Sequence, residues 1–283
     1  MTGTKIFVND DLWETRLALI EDGLITGFHI ERKGEENLLG NVYLGRVVRV
    51  MAGMQAAFVE VGLPRAAFLP GRQVLSREMR DALRQQEGAR KDDGKKKEQA
   101  QKRRRGRKTP RPIQEQLKGG AEVIVQIVQQ PQGMKGAKIT TYVSLPGHYC
   151  VFMPTIRGVG VSRRIEDRAR RTALRRLANK MRHKHDGGFI IRTSAAEADT
   201  SEVEREANYI AELWKHVVEK SRDRKAPTLL FREWDLPSRI LRETPDAKID
   251  SITVDTDQTH ERVQEYLGLA APQHLPRLSL YRS

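Results

Sequence analysis

Through the first half of the chain, apolar and polar positions alternate over short stretches that are cut by glycine and proline. Residues 42–50 form one such stretch, broken at Gly45. Residues 56–61 follow a turn at Ala52-Gly53, and residues 66–69 follow one at Gly62-Leu63-Pro64. Strands this short and this tightly turned suit a small closed barrel better than a flat sheet. Residues 122–128 and 138–144 return to the strand pattern, so the barrel ends near Ser144. Ahead of it, residues 5–9 and 13–20 read as strands joined by the turn residues Asp10 and Asp11, and residues 24–31 as a third. These three cannot close a core by themselves.

The second half changes period. Residues 149–153 read as a strand and Gly158-Val159-Gly160 as a flexible turn. A helix is predicted over 165–181, with Ile165, Ala169, Ala173, Leu177 and Met181 recurring every four residues as a buried stripe. Arg168, Arg170, Arg171, Arg175 and Arg176 cover much of its remaining surface, and most of them read as a solvated face. Residues 189–192 form a strand. A second helix, over 201–220, turns Val203, Ala207, Ile210, Trp214 and Val217 inward, and Pro227 marks a boundary. Residues 228–234 and 251–255 read as strands and 260–267 as a short helix.

Charge sharpens this picture. The chain has 283 residues and a net charge of +14. Residues 90–111 carry +9 and residues 163–184 carry +8, so everything else is slightly acidic. A basic excess held in two segments points to a polyanion partner, nucleic acid ahead of an anionic membrane surface. Between residues 95 and 112 nothing aromatic or branched and apolar is available to offset ordering entropy. A disordered basic loop, gathering polyanion through counterion release, is predicted at about 80–115. A single cysteine, Cys150, excludes an internal disulfide and reads as a buried small hydrophobe. No apolar run is long enough to span a bilayer, and the cytoplasm is the expected compartment.

Two constellations carry candidate chemistry. Phe58 and Phe68 lie mid-strand beside small alanines, which leaves their ring faces open to base stacking unless both are simply core. GFIIRTSA ends an apolar strand in Arg192-Thr193, delivering a guanidinium fork and a hydroxyl to one point. That pair suits a terminal phosphate, although alone it reads more readily as a structural surface pair.

The blocks NVYLGRVVRV, AAFVEVG, AAFLP, MKGAKITTYVSLPGHYCVFMP, GVGVSRRIED and GGFIIRTSA, in this order, resemble the ribonuclease E/G endoribonucleases. The resemblance covers nearly the whole chain but only the first half of that family's protein. It implies an α+β fold: an S1-type OB β-barrel inserted into a discontinuous RNase H-like α/β unit, with a mixed α/β 5′-sensor subdomain. The implied boundaries are 1–37 and 221–283 for the RNase H-like parts, 38–144 for the barrel and 145–220 for the sensor. By motif, Arg192 and Thr193 contact a 5′-monophosphate on RNA, and Gly147 and Val151 supply the pocket wall and backbone contacts. Phe58 and Phe68 stack bases, and Lys135 contacts RNA. Lys138 stands where a small residue is usual, and Pro146 replaces an alanine, removing a backbone donor.

The family's catalytic half is not evident. Its paired aspartates and CPxC zinc motif are absent, so no catalytic residue and no metal ligand is assigned. Asp255 and Asp257 read as turn and cap residues, and Asp10, Asp11 and Glu14 lie in a turn without evident partners. The resemblance therefore implies single-stranded RNA binding and 5′-monophosphate sensing within RNA processing and decay, by a chain inactive alone. No cofactor is expected on this chain, with Mg²⁺ reserved for the full-length enzyme. A monomer is expected, with single-stranded RNA as partner and a missing nuclease half or degradation machinery as further candidates. A stand-alone RNA-binding or end-protecting regulator is the alternative, and a nuclease with an unrecognised site the third reading.

Overall fold

The computed structural model describes residues 3–34, 37–75, 112–244 and 249–282. Of the basic loop expected at about 80–115, all but residues 112–115 lies outside these, and there a short helix begins with Ile113 buried.

In chain order, β1 (Thr4–Asp10), β2 (Glu14–Glu21) and β3 (Leu24–Arg32) come first. Burial alternates residue by residue along β1, as successive side chains of a strand face opposite ways. Asp22 and Gly23, both at positive φ, make the two-residue hairpin turn into β3. There follow β4 (Val42–Met51), β5 (Ala56–Glu60), β6 (Ala67–Pro70), α1 (Ile113–Gln116), β7 (Glu122–Gln129) and β8 (Lys138–Thr140). Next are β9 (Leu145–Pro146), β10 (Cys150–Met153), β11 (Val159–Val161), α2 (Arg168–His185), β12 (Gly188–Ile191) and α3 (Thr200–Asp223). The chain closes with β13 (Thr228–Phe231), α4 (Leu236–Glu243), β14 (Ile249–Val254), α5 (Asp257–Ala270) and β15 (Leu278–Leu280). No helix among the described residues is long and apolar enough to cross a membrane.

These elements fall into two units. One comprises Met1–Leu38, Ser144–Trp214 and Glu233–Ser283, the other Leu39–Val143 and Lys215–Arg232. The first holds a five-stranded sheet in the order β15-β14-β1-β2-β3, in which β1, β14 and β15 run parallel. Strands from opposite ends of the chain therefore complete one core. Ile6, Val8, Leu17, Ile252 and Val254 pack with Leu241 of α4 and with Val263, Tyr266 and Leu267 of α5. The same unit holds a four-stranded sheet in the order β11-β12-β10-β9.

The second unit is a closed five-stranded barrel, β4-β5-β6-β8-β7, shut by antiparallel pairing of β7 with β4 and consistent with an OB-type barrel. β4 serves two neighbours in succession, pairing with β7 from Val42 to Arg46 and with β5 from Arg46 to Met51. Gly45 sits at that crossover, where a Cβ would lie 2.5 Å from the Val59 side chain and 3.1 Å from the Glu60 carbonyl.

Three details differ from the sequence reading. The expected turn at Gly158–Gly160 is strand β11, pairing in parallel with β12. The strand expected at 228–234 is β13, and it adds to β4 of the barrel rather than to the sheet of β1. The predicted stripe on the first helix drifts, because a repeat of four outruns a helix of 3.6 residues per turn. Ala169 and Ala173 are exposed, and Leu174, Leu177, Ala178 and Met181 form the buried face instead. The inward stripe predicted on α3 is buried at all five positions.

Candidate functional site

On the barrel, register decides which side chains meet. Phe58 of β5 pairs with Phe68 of β6, and their rings meet edge to face with centroids 5.9 Å apart. Both rings are half-buried, neither lost in the core nor fully exposed. The same lateral row continues on either side, since Arg49 of β4 pairs with Phe58 and Lys138 of β8 pairs with Phe68. Cross-strand partners share a face, so four strands present a cation, two aromatics and a second cation in line. Arg49 escaped the sequence reading because its neighbour is set by the bulge between Val47 and Arg49. Lys135 is exposed in the turn before β8, where Lys135 and Gln132 exchange backbone hydrogen bonds of 3.0 and 3.2 Å. Gly136 next to it is obligatory, because a Cβ there would strike the Ala66 carbonyl.

The second constellation lies in the other unit, where the loop between β9 and β10 meets the end of β12. Arg192 leaves β12, its backbone N–H donating to the Tyr149 carbonyl at 2.8 Å and its Nη1 to the Gly147 carbonyl at 2.7 Å. Thr193 is exposed at the head of a short 3-10 turn, its hydroxyl 2.9 Å from that of Ser162. Ser194 Oγ donates to the His148 carbonyl at 2.5 Å. A guanidinium has five N–H donors, so the anchor of Nη1 to the Gly147 carbonyl, with the Arg242 carbonyl at 3.5 Å, leaves Arg192 others to offer an anion.

What shapes the loop is a carboxylate the sequence reading missed. Glu206 of α3, buried, accepts backbone N–H groups from His148 at 2.5 Å, Tyr149 at 2.8 Å and Cys150 at 3.0 Å. Burial pushes its carboxyl above the usual range, against the downward pull of the Tyr149, His148 and Cys150 N–H groups and of the His148 ring. Its signal was available, since position 206 falls between Val203 and Ala207 on the inward stripe, where a carboxylate needs a reason to be. The carbonyl side of the loop is held by Arg242, whose Nη1 donates to the Pro146 carbonyl at 3.3 Å and to Glu233 at 2.9 Å.

Gly147 is held close against α3. A Cβ there would lie 2.5 Å from Ile210 Cδ1 and 2.6 Å from the Glu206 carboxyl carbon. Its N–H donates to the Cys150 carbonyl at 2.7 Å. Val151 is half-buried in β10, flanked by Pro146 and Ile190, and Pro146 occupies the edge strand β9, where proline is tolerated. Cys150 is fully buried, and burial pushes its thiol well up.

The acidic residues at the head of the first sheet are occupied structurally. Asp10, read from sequence as unpartnered, accepts from the hydroxyls of Thr15 and Thr259, both at 2.7 Å, and pairs with Lys33 at 3.0 Å and Arg262 at 2.9 Å. Burial pushes its carboxyl up, but the bonds from Thr259, Thr15 and Lys33 outweigh that and hold it below the usual range. Asp255 accepts from the Asn9 amide at 2.6 Å and the Asp10 N–H at 2.9 Å, and Thr256 rather than Asp257 caps α5. Among the described residues, no group of three or more His, Cys, Asp or Glu is placed to hold a metal ion.

Residues 144–283 match the Ribonuclease E/G family. The chain is 36% identical to ribonuclease G of Escherichia coli (strain K12) over 277 residues, 98% of this chain and 53% of that one. It is 34% identical to ribonuclease G of Haemophilus influenzae over 99% of this chain and 53% of the relative. Against ribonuclease E of the same organism the figures are 31% identity, 95% and 26%. The chain therefore spans about half the length of its ribonuclease G relatives.

Proposed function

The chain belongs to the ribonuclease E/G family, and from that premise we propose that it binds single-stranded RNA and reads a monophosphate at the RNA's 5′ end. In this reading it is the RNA-recognition half of an endoribonuclease of RNA processing and decay. The barrel is of the S1 type, the five-stranded sheet is the RNase H-like unit, and the sheet of β10 and β12 is the 5′ sensor.

The observations that carry the proposal are the Arg192 guanidinium held at the Gly147 carbonyl and, on the next residue, the Thr193 hydroxyl exposed beside that of Ser162. A terminal monophosphate takes charge-assisted hydrogen bonds from the fork and shorter ones from the hydroxyls. A 5′ hydroxyl gains no charge-assisted bond, and a triphosphate brings bulk and charge that the pair does not accommodate. Gly147 and Val151 supply the neighbouring wall and backbone contacts. On the barrel, Phe58 and Phe68 stack bases, each ring contributing about 1–3 kcal/mol, while Arg49, Lys138 and Lys135 meet phosphates. The family's Mg²⁺ finds no fitting donor set among the described residues, because Asp10 and Asp255 are engaged in holding strands and α5 together. No cleavage step is assigned to them.

Binding of short single-stranded RNAs with 5′-monophosphate, 5′-hydroxyl and 5′-triphosphate ends, with Mg²⁺ present and a gel to check cleavage, tests this. A monophosphate preference on intact RNA is expected. Equal affinity for all three ends would remove the sensor, and cleavage by the repurified chain would require a metal site elsewhere.

A further inference from the structure

Helix α2 has a division of charge that its role as a core-packing helix does not explain. Its 18 residues include six arginines and two lysines and no acidic residue. On one flank the cations are tied down. Lys180 bridges Glu204 at 2.8 Å, Lys184 donates to Asn208 at 2.8 Å, and the Arg170 guanidinium donates to the carbonyls of Ala195, Ala196 and Ala198. On the other flank, Arg168, Arg171 and Arg175 follow one another at spacings of three and four residues. That spacing stacks side chains on one side of a helix. None of the three side chains has an acidic partner among the described residues.

Like charges at three and four residues apart destabilise a helix, and a solvated face normally relieves this with interspersed glutamates. Within α2 no acidic residue relieves it, and the nearest carboxylates in sequence, Glu166 and the N-cap Asp167, lie ahead of the first turn. The residues are all arginine, whose planar fork suits phosphate better than an ammonium does. The row also begins in a telling place. Arg163 and Arg164 follow Ser162 directly, and Ser162 shares a hydrogen bond of 2.9 Å with Thr193. The chain thus runs from the Ser162 and Thr193 hydroxyls through Arg163 and Arg164, passes Glu166 and the N-cap Asp167, and resumes its cations at Arg168 on the free flank of α2.

We infer that the Arg168, Arg171 and Arg175 flank of α2 is a second phosphate-binding surface, which holds the nucleotides following the 5′ end of a single-stranded RNA. The inference rests on the 5′-end reading for its polarity only, since the row attracts a phosphate backbone whichever end enters the pocket. It contributes affinity chiefly through the phosphates, because contacts to phosphate carry no sequence information directly.

The test compares wild type with the triple variant Arg168→Gln/Arg171→Gln/Arg175→Gln on 5′-monophosphorylated and 5′-hydroxyl RNAs of 3 and 12 nucleotides, each across a salt series. Three lost phosphate contacts reduce the slope of log affinity against log salt by about 2 for a single strand. The 12-mer should accordingly lose on the order of tenfold in affinity at low salt, with the 3-mer changed much less. The ratio between monophosphate and hydroxyl ends should stay at its wild-type value. If wild type shows no end preference, the sensor reading fails while the slope still reports on α2. The free triple variant should melt at or above the wild-type temperature, as the repulsion is gone, which separates a binding defect from a folding one. The Arg→Lys triple variant should keep the wild-type slope. An unchanged slope in the glutamine variant overturns the proposal. So does an unchanged slope accompanied by lost sedimentation with phosphatidylserine vesicles, which would make the flank a membrane contact instead.

Discussion

On the barrel, Arg49, Phe58, Phe68 and Lys138 come into line because four neighbouring strands pair in one register, and each side chain needs little beyond its own strand. The candidate site beside Arg192 is assembled differently. Its loop takes shape from Glu206, 58 residues away from His148, and from Arg242, 96 residues from Pro146. One site is a surface on a rigid sheet and the other a loop held in place from behind. The difference predicts where each is fragile: the barrel face should lose binding without losing stability, and the pocket should lose both together.

The largest break is at Glu206. Glu206→Ala leaves the buried N–H groups of His148, Tyr149 and Cys150 without their acceptor and should cost on the order of 3 kcal/mol in urea unfolding. The 5′-end preference should go with it, while binding by the barrel survives wherever the protein is folded. The conservative Glu206→Gln isolates the ionisation. A carboxyl held above its ordinary 4.5 in the folded state contributes stability in acid that is lost as pH rises through the folded value. Unfolding of wild type should therefore become easier above pH 4.5 in that window, and Glu206→Gln should flatten the trend. Asp10 works with the opposite sign, since its depressed carboxyl contributes stability above pH 3.8 that is lost as pH falls through the folded value.

Gly147→Ala comes next. Its Cβ would overlap Ile210 and Glu206, and overpacking of this kind should cost about 1–3 kcal/mol by thermal or urea unfolding. Phe58→Ala is the contrasting case on the barrel. It should weaken RNA binding by about 1–3 kcal/mol in a fluorescence titration, equally for every 5′ end, with a far smaller change in unfolding. Arg49→Gln is the mildest and should lower the salt slope of RNA binding by about 0.7 with no change in stability.

The same contrast explains what the sequence made legible. The barrel strands stand out because a period of two and the turns at Ala52-Gly53 and Gly62-Leu63-Pro64 are local signals. Phe58 and Phe68 share a strand position whose pairing follows from those turns. The destination of β13 was hidden, because an isolated apolar stretch does not reveal which sheet it joins. β11 was hidden for a related reason: Val159–Val161, with its central glycine, reads as a turn until β12 lies beside it in parallel. Arg192 and Thr193 were visible as a pair, whereas Ser162 meets Thr193, and Ser194 and Arg242 meet the loop between β9 and β10, only through tertiary contacts. Glu206 and the row on α2 were visible as residues, and only packing distinguishes an anchored charge from one left facing solvent.

The most direct measurement is the ratio of affinities for 5′-monophosphorylated and 5′-hydroxyl RNA of one sequence, taken in wild type, Arg192→Ala and Phe58→Ala under one salt condition. The two-site account predicts a ratio well above one in wild type. Arg192→Ala should collapse it to one with the hydroxyl affinity intact, and Phe58→Ala should leave it unchanged while both affinities fall. A ratio that survives Arg192→Ala, or one that disappears in Phe58→Ala, would contradict the assignment of end recognition to the pocket.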